Sequence, residues 1–142
     1  MARDNVTANA AWESLLTAHA ALTRSFAAER VWQDLSMREY DVLYTLSKCP
    51  APTRISDLND HVLLSQPGLS RLVHRLAGRG LVECRPDPAD GRGVLVSLTP
   101  AGRERQRQIG RRHARSVART LTASLDHTEL SQLTSLCQKL HS

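Results

Sequence analysis

Aromatic residues make up only 4% of this 142-residue chain, which argues against an RNA-binding surface built on ring stacking. Its three cysteines, Cys49, Cys84 and Cys137, are odd in number, widely spaced and without a C-x-x-C pattern. Neither a disulfide framework nor a zinc knuckle is indicated, and a reducing cytoplasm fits. The six histidines form no H-E-x-x-H pair and have no cysteine at ligand spacing, so no metal and no cofactor is expected. The absence of a Gly-rich phosphate loop and of a recognisable nucleophile–base set disfavours an enzyme. The segment MARDNVTANAAW has no apolar signal region, and no window approaches the roughly 18 apolar residues of a membrane span. The expectation is a protein that is neither exported nor embedded in a membrane.

What the chain does have is positive charge in one place. The formal net charge is +5, and residues 65–112 carry 10 basic against 4 acidic groups, while residues 1–64 carry 6 against 8. A basic patch attracts polyanions, although a merely solvated basic face is the alternative. Within this stretch, Leu69, Leu72, Val73 and Leu76 repeat at helical spacing and leave Ser70, Arg71, His74 and Arg75 on the opposite face. Gly78 and Gly80 end that helix, and 81–85 and 93–98 alternate as two strands around the turn-rich 86–91. A short amphipathic helix running into an Arg-bearing hairpin is the layout of a winged helix-turn-helix.

The flanking segments are long helices. A first runs from about Val6 to Trp32, carrying Trp12, Leu15, Leu16, His19, Leu22 and Phe26 near one stripe. Ser36 to Glu39 reads as a capping box for a second helix that Pro50 and Pro52 terminate. Thr53 is expected to cap a short third helix and Ser65 the fourth. Thr99-Pro100 starts an Arg-rich fifth helix, and Asp126 with Glu129 caps a sixth, whose seam of Leu130, Leu133, Leu136 and Leu140 needs a cover. The fold class is therefore mainly α with a small β-hairpin wing. One domain spans 1–142, with a winged helix-turn-helix lobe over about 36–98 and dimerisation helices at about 6–33 and 99–141.

The motifs Leu69-Ser70-Arg71-Leu72-Val73-His74-Arg75-Leu76, Arg79-Gly80-Leu81-Val82, Asp90-Gly91-Arg92 and Leu98-Thr99-Pro100-Ala101-Gly102 together resemble the MarR family of bacterial transcription regulators. A D-x-R wing followed at fixed distance by L-T-x-x-G is far more specific than a generic helix-turn-helix match. The resemblance implies a cytoplasmic homodimer with interlocked terminal helices, a palindromic double-stranded DNA operator, and repression relieved by a small ligand. Oxidation of a cysteine is the alternative trigger, although no cysteine stands near the start of the first helix, where peroxide-sensing members carry theirs.

Only the outward face of a reading helix, near its N-terminus, reaches base edges in the major groove. Gln66, Ser70 and Arg71 are the candidates for bases; His74 and Arg75, one turn on, suit phosphates, with a surface salt bridge as the alternative for Arg75. Pro67 falls in the expected first turn and narrows what Gln66 can contact. As helix caps, Thr53 and Ser65 would also offer backbone N–H groups to phosphates. The resemblance implies that Arg92 enters the minor groove and that Asp90 braces the wing by an ion pair. It also implies a pocket between the dimerisation helices and the DNA-binding lobe, for which Trp12, His19, Trp32, Tyr40, Tyr44 and His113 are the candidates. An aromatic or phenolic effector suits such a lining; core packing is the alternative for each residue.

Overall fold

The helix α1 (Ala2–Ala27) is shorter at its end than its apolar stripe predicts, because the chain folds back on itself there. A 3-10 turn (Arg30–Trp32) follows, and the indole Nε1 of Trp32 donates to the Phe26 carbonyl at 2.8 Å, so Trp32 belongs to the core rather than to α1. Ser36 then starts α2 (Met37–Ser47) as expected: its Oγ accepts from Glu39 N at 3.1 Å while Glu39 Oε1 accepts from Ser36 N at 2.9 Å. This computed structural model describes residues 1–64 and 67–142, and the candidates Ser65 and Gln66 lie outside the described residues.

Two expected helix starts differ. Thr53 does not cap a helix: Thr53 and Arg54 form a short strand, β1, and the helix α3 (Ile55–His61) begins after it with no side-chain cap. The Thr53 hydroxyl donates to the Ala51 carbonyl at 3.2 Å instead. The physical reason is the hairpin, whose second strand has a free edge that draws in these two residues and satisfies their backbone groups. The helix α4 (Leu69–Gly78) begins two residues beyond Pro67, with Gly68 before it at φ +82°, so Pro67 stands in an exposed turn and not in the first helical turn. That left-handed conformation is one glycine adopts freely.

The strands β2 (Val82–Asp87) and β3 (Asp90–Leu98) pair antiparallel from Val82↔Leu98 out to Asp87↔Asp90, with an irregularity between Pro86 and Asp87. The wing is thus longer than predicted, and β1 pairs along the other edge of β3, Thr53 opposite Val96 and Arg54 opposite Leu95, giving the order β1-β3-β2. The helices α5 (Pro100–Thr122) and α6 (His127–His141) complete the chain, capped by Thr99 and by Asp126 with Glu129 as expected. Val42, Leu43, Leu58, Val73, Leu76, Val96 and Ile109 are fully buried, so the core lies where α2, α3, α4, the sheet and α5 meet.

The terminal helices stand largely outside that core. Phe26 is the one buried residue of α1 and α6 has none, while Trp12, Leu15, Leu16, Leu133, Leu136 and Leu140 are exposed. Apolar stripes of this kind on both termini are more than one chain covers by itself.

At the hinge between hairpin and α5, Gly102 touches the Leu81 backbone so closely that a Cβ there would overlap the Leu81 carbonyl oxygen. Neither partner is the far end of a flexible side chain. The substitution Gly102→Ala is therefore expected to destabilise the protein by about 1–3 kcal/mol, as overpacking does, measured by urea unfolding; an unchanged midpoint would mean that the two elements separate freely.

Candidate functional site

The α4 helix divides its side chains as its spacing requires. Leu69, Leu72, Val73 and Leu76 face the core, and Ser70, Arg71, His74 and Arg75 are exposed on the other side. Among the described residues, neither Arg71 nor Arg75 has an ion-pair partner. By contrast Arg79, at the end of the same helix, is bound to Asp34 and stands 3.8 Å from Glu39. The first two arginines present charge to solvent, and the third joins α4 to the connection before α2.

The wing is braced differently from expectation. Asp90 makes no ion pair among the described residues; its Oδ1 accepts from the backbone N of Arg92 at 3.1 Å, which tightens the tip. The brace is Asp87, a buried carboxylate whose Oδ2 accepts from Arg54 Nε at 2.6 Å and whose Oδ1 accepts from Ala89 N at 2.9 Å. The Ala89 hydrogen bond, together with the Arg54 guanidinium and against the opposing effect of burial, holds this carboxyl below the ordinary aspartate value. Asp90 cannot take that role because it lies at the exposed end of β3, away from Arg54, which pairs opposite Leu95; Arg92 nearby is exposed and has no ion-pair partner among the described residues. Arg85 is neutralised by Glu83 at 3.1 Å on the same strand.

A second feature lies among the long helices. A cavity of about 800 Å³ opens between α1, α2, α5 and α6, and its walls are mostly apolar. His19, Tyr40, Tyr44 and His113 all line it, so four of the six expected pocket residues converge. Trp12 does not, because it sits 57% exposed on the outer part of α1. Trp32 does not either: it is a core residue whose ring packs behind the wall, 4.8 Å from the His113 ring and 5.3 Å from that of Tyr40.

His113 is the unusual member. Its ring meets Phe26 edge-on at 5.4 Å and Tyr40 at 5.8 Å, and its Nδ1 is buried with no hydrogen-bond partner among the described residues. Burial lowers its pKa, opposed by the nearby Glu29 carboxylate, so the imidazole is held neutral. Burial likewise raises the pKa of Tyr40, partly offset by a hydrogen bond with Gln106.

Asp41, absent from the expected set, also reaches the cavity wall. It is buried, and its two carboxylate oxygens accept from Leu63 N at 3.2 Å and Leu64 N at 2.8 Å, holding the segment that leads toward α4. An acid set between Tyr40 and the apolar Val42-Leu43 pair of α2 was the available signal. No group of three or more His, Cys, Asp or Glu side chains able to hold a metal occurs among the described residues.

The family model described as MarR family matches residues 33–93, from the start of α2 to the wing. The multiple antibiotic resistance protein MarR of Salmonella typhimurium is 30% identical over 107 residues, covering 75% of this chain and 74% of that protein. The chain belongs to the MarR family. Among solved MarR-family structures, a cysteine-to-serine mutant of Escherichia coli MarR complexed with operator DNA superposes with a TM-score of 0.76 at 25% identity, covering 92% of each chain. The PcaV transcriptional regulator of Streptomyces coelicolor, in complex with its natural ligand, superposes at 0.69 with 27% identity, covering 90% of this chain and 86% of that one. The MarR winged helix therefore accounts for the three-stranded sheet and the terminal helices alike. No helix among the described residues of this MarR-family chain is long and apolar enough to cross a membrane.

The neutral state of His113 has a measurable consequence. A histidine whose folded pKa lies below its unfolded value of about 6.5 leaves the unfolded chain binding more protons, so stability is lost as pH falls through that value. The wild-type urea midpoint is expected to drop between about pH 7.5 and 5.5, and His113→Phe, which keeps the ring contacts, is expected to flatten that drop. Parallel pH profiles for the two proteins would mean that the imidazole is solvated.

Proposed function

We propose that this chain is a homodimeric, DNA-binding transcriptional repressor that reads a palindromic operator through α4 and the wing and releases it when a small aromatic or phenolic ligand occupies the cavity. The function is binding and not catalysis, exercised in the bacterial cytoplasm where the operator is. The observation that carries the reading is that Arg71 and Arg75 on α4 and Arg92 at the wing tip are exposed without ion-pair partners among the described residues, while Arg54, Arg79 and Arg85 are ion-paired. The operator complex of the Escherichia coli relative and the ligand complex of PcaV support the two halves of the proposal.

In this reading Ser70 and Arg71 meet base edges, and Gln66 is the third candidate for a base contact. His74 and Arg75 meet phosphates, and Arg92, its backbone held by Asp90, enters the minor groove. The lobe at about 36–98 binds DNA, and the helices at about 6–33 and 99–141 join two copies.

The cavity lining includes no lysine or arginine, so it favours an uncharged aromatic body, with the orphaned His113 Nδ1 as the group that a ligand hydroxyl would satisfy. An occupant would also press on Leu63 and Leu64, which Asp41 ties to α2 just ahead of the reading helix.

Selection of bound duplexes from a random DNA pool is expected to return one two-fold symmetric sequence. On it, Arg71→Ala is expected to cost about 1–3 kcal/mol and to relax preference at one base pair per half-site, as loss of a bidentate base contact does. Equal losses on operator and random DNA would make Arg71 a phosphate contact.

Dimerisation has its own test. Two reading helices must address successive major grooves about 34 Å apart, roughly 10 base pairs, and the exposed leucines of α6 are the seam proposed to join them. Removing residues 126–142 is expected to yield monomers or aggregates in sedimentation and to abolish operator binding. A monodisperse truncated protein that binds the palindrome as tightly as the full chain would overturn the proposed arrangement.

A further inference from the structure

A second cleft, separate from the cavity and from the α4 surface, lies between the 3-10 turn after α1 and the middle of α5. It measures about 570 Å³ and is lined by Ala28, Glu29, Arg30, Val31, Arg112, Arg115, Ser116 and Arg119. Arg112, Arg115 and Arg119 follow one another at i, i+3 and i+7, so α5 presents them on one face, and Arg30 approaches from the turn opposite. None of the four has an ion-pair partner among the described residues, whereas Arg105 and Arg107 on the same helix are paired with Asp34 at 2.6 Å and Glu104 at 3.8 Å. Glu29 is the one acid in the lining. At the floor the buried Ser116 hydroxyl accepts from Arg119 Nη2 at 3.4 Å, which leaves its own proton to donate.

We propose that this cleft is a binding site for a small polyanion of the pyrophosphate or phosphate-ester class. Like charges three and four residues apart on a helix repel one another, and four guanidinium groups around one carboxylate form a concave region of net positive charge that an anion relieves. Arginine forks match the oxygens of a phosphate two at a time, and the open mouth of this groove leaves all four guanidinium groups within reach of a solvated anion. The cleft is not an extension of the reading surface. At 1.5 Å per residue, Arg112 stands about 20 Å along α5 from Thr99, where the helix leaves the wing. With few apolar lining residues, the cleft selects for charge, in contrast to the apolar cavity on the other side of α5.

Isothermal titration of the full-length protein with inorganic pyrophosphate, without DNA and at fixed ionic strength, tests this. One site per chain is expected, tighter for pyrophosphate than for orthophosphate. Arg112→Gln and Arg115→Gln are each expected to weaken it about tenfold, as loss of a charge-assisted contact does, and Glu29→Gln to tighten it. Arg71→Ala and Arg92→Ala are expected to leave it unchanged. An anion bound equally well by the Arg112 and Arg115 variants, or lost on Arg71→Ala, sits on the DNA surface and overturns the proposal. So does absence of binding to the wild type. A change in sedimentation mass on substituting Arg112 or Arg115 would show instead that these groups join two copies of the chain. Because the titration involves no operator, its outcome is independent of the proposed DNA function.

Discussion

The contact between Gly102 and the backbone of Leu81 sets where the reading helix and the wing stand relative to the long helix α5. Four elements meet within a few residues of it. Leu81 N closes the end of α4 on the Leu76 carbonyl at 3.0 Å, and the Leu81 carbonyl accepts from Thr99 N at 3.2 Å, where β3 gives way to α5. The Thr99 hydroxyl donates to the Gly80 carbonyl at 2.6 Å and accepts from Gly102 N at 3.0 Å. One side chain thereby caps α5 and ties it to the turn after α4. Asp34 adds a second tie by holding both Arg79 of α4 and Arg105 of α5. Burial works against its charged form, but its own backbone hydrogen bond and the two guanidinium groups keep its carboxyl below the usual range. These charges are largely exposed, and exposed pairs contribute little to stability; the backbone joint, which water cannot replace, carries the orientation.

The same division of labour explains the arginines. Arg54, Arg79, Arg85 and Arg105 each have a carboxylate and serve the fold. Arg71, Arg75 and Arg92 have none among the described residues and belong to α4 and the wing, while Arg30, Arg112, Arg115 and Arg119 gather at the second cleft. Net charge therefore says less than pairing does. The positive excess within residues 65–112 supplies the α4 and wing surface, whereas the cleft gathers Arg112 from that stretch with Arg30, Arg115 and Arg119 from outside it.

What was legible in the sequence was what local rules determine. The capping boxes at Ser36 and Asp126, the Thr99-Pro100 start and the apolar stripe of α4 are each set by residues within one or two turns, and each stands where expected. The errors fall where distant residues decide. Thr53 has cap chemistry, but the free edge of β3, more than forty residues away, took it into a strand. Asp87 rather than Asp90 braces the wing because only Asp87 comes beside Arg54, and that proximity exists only after β1 joins the sheet. Trp32 carried the periodicity of α1 but left it once its indole found the Phe26 carbonyl. His19, Tyr40, Tyr44 and His113 come from three helices, and no spacing along the chain gives the cavity they share.

That cavity and the proposed DNA surface are linked by a short physical route. Asp41 is on α2, which forms one wall; its carboxylate holds Leu63 and Leu64, which line the cavity and lead toward α4. Displacing this buried carboxylate from its two backbone N–H donors is costly, because the charge would lose two hydrogen bonds away from water. The tie is therefore two-state in character: a ligand either fits beneath Leu63 and Leu64 with both bonds kept, or breaks them and frees the segment that feeds α4. Only a ligand of the second kind has differential affinity for the two arrangements, and differential affinity is what moves an equilibrium. By this argument the tightest binder of the cavity need not be the effector; in the proposed reading the effector's hydroxyl meets His113 while its bulk extends toward Asp41.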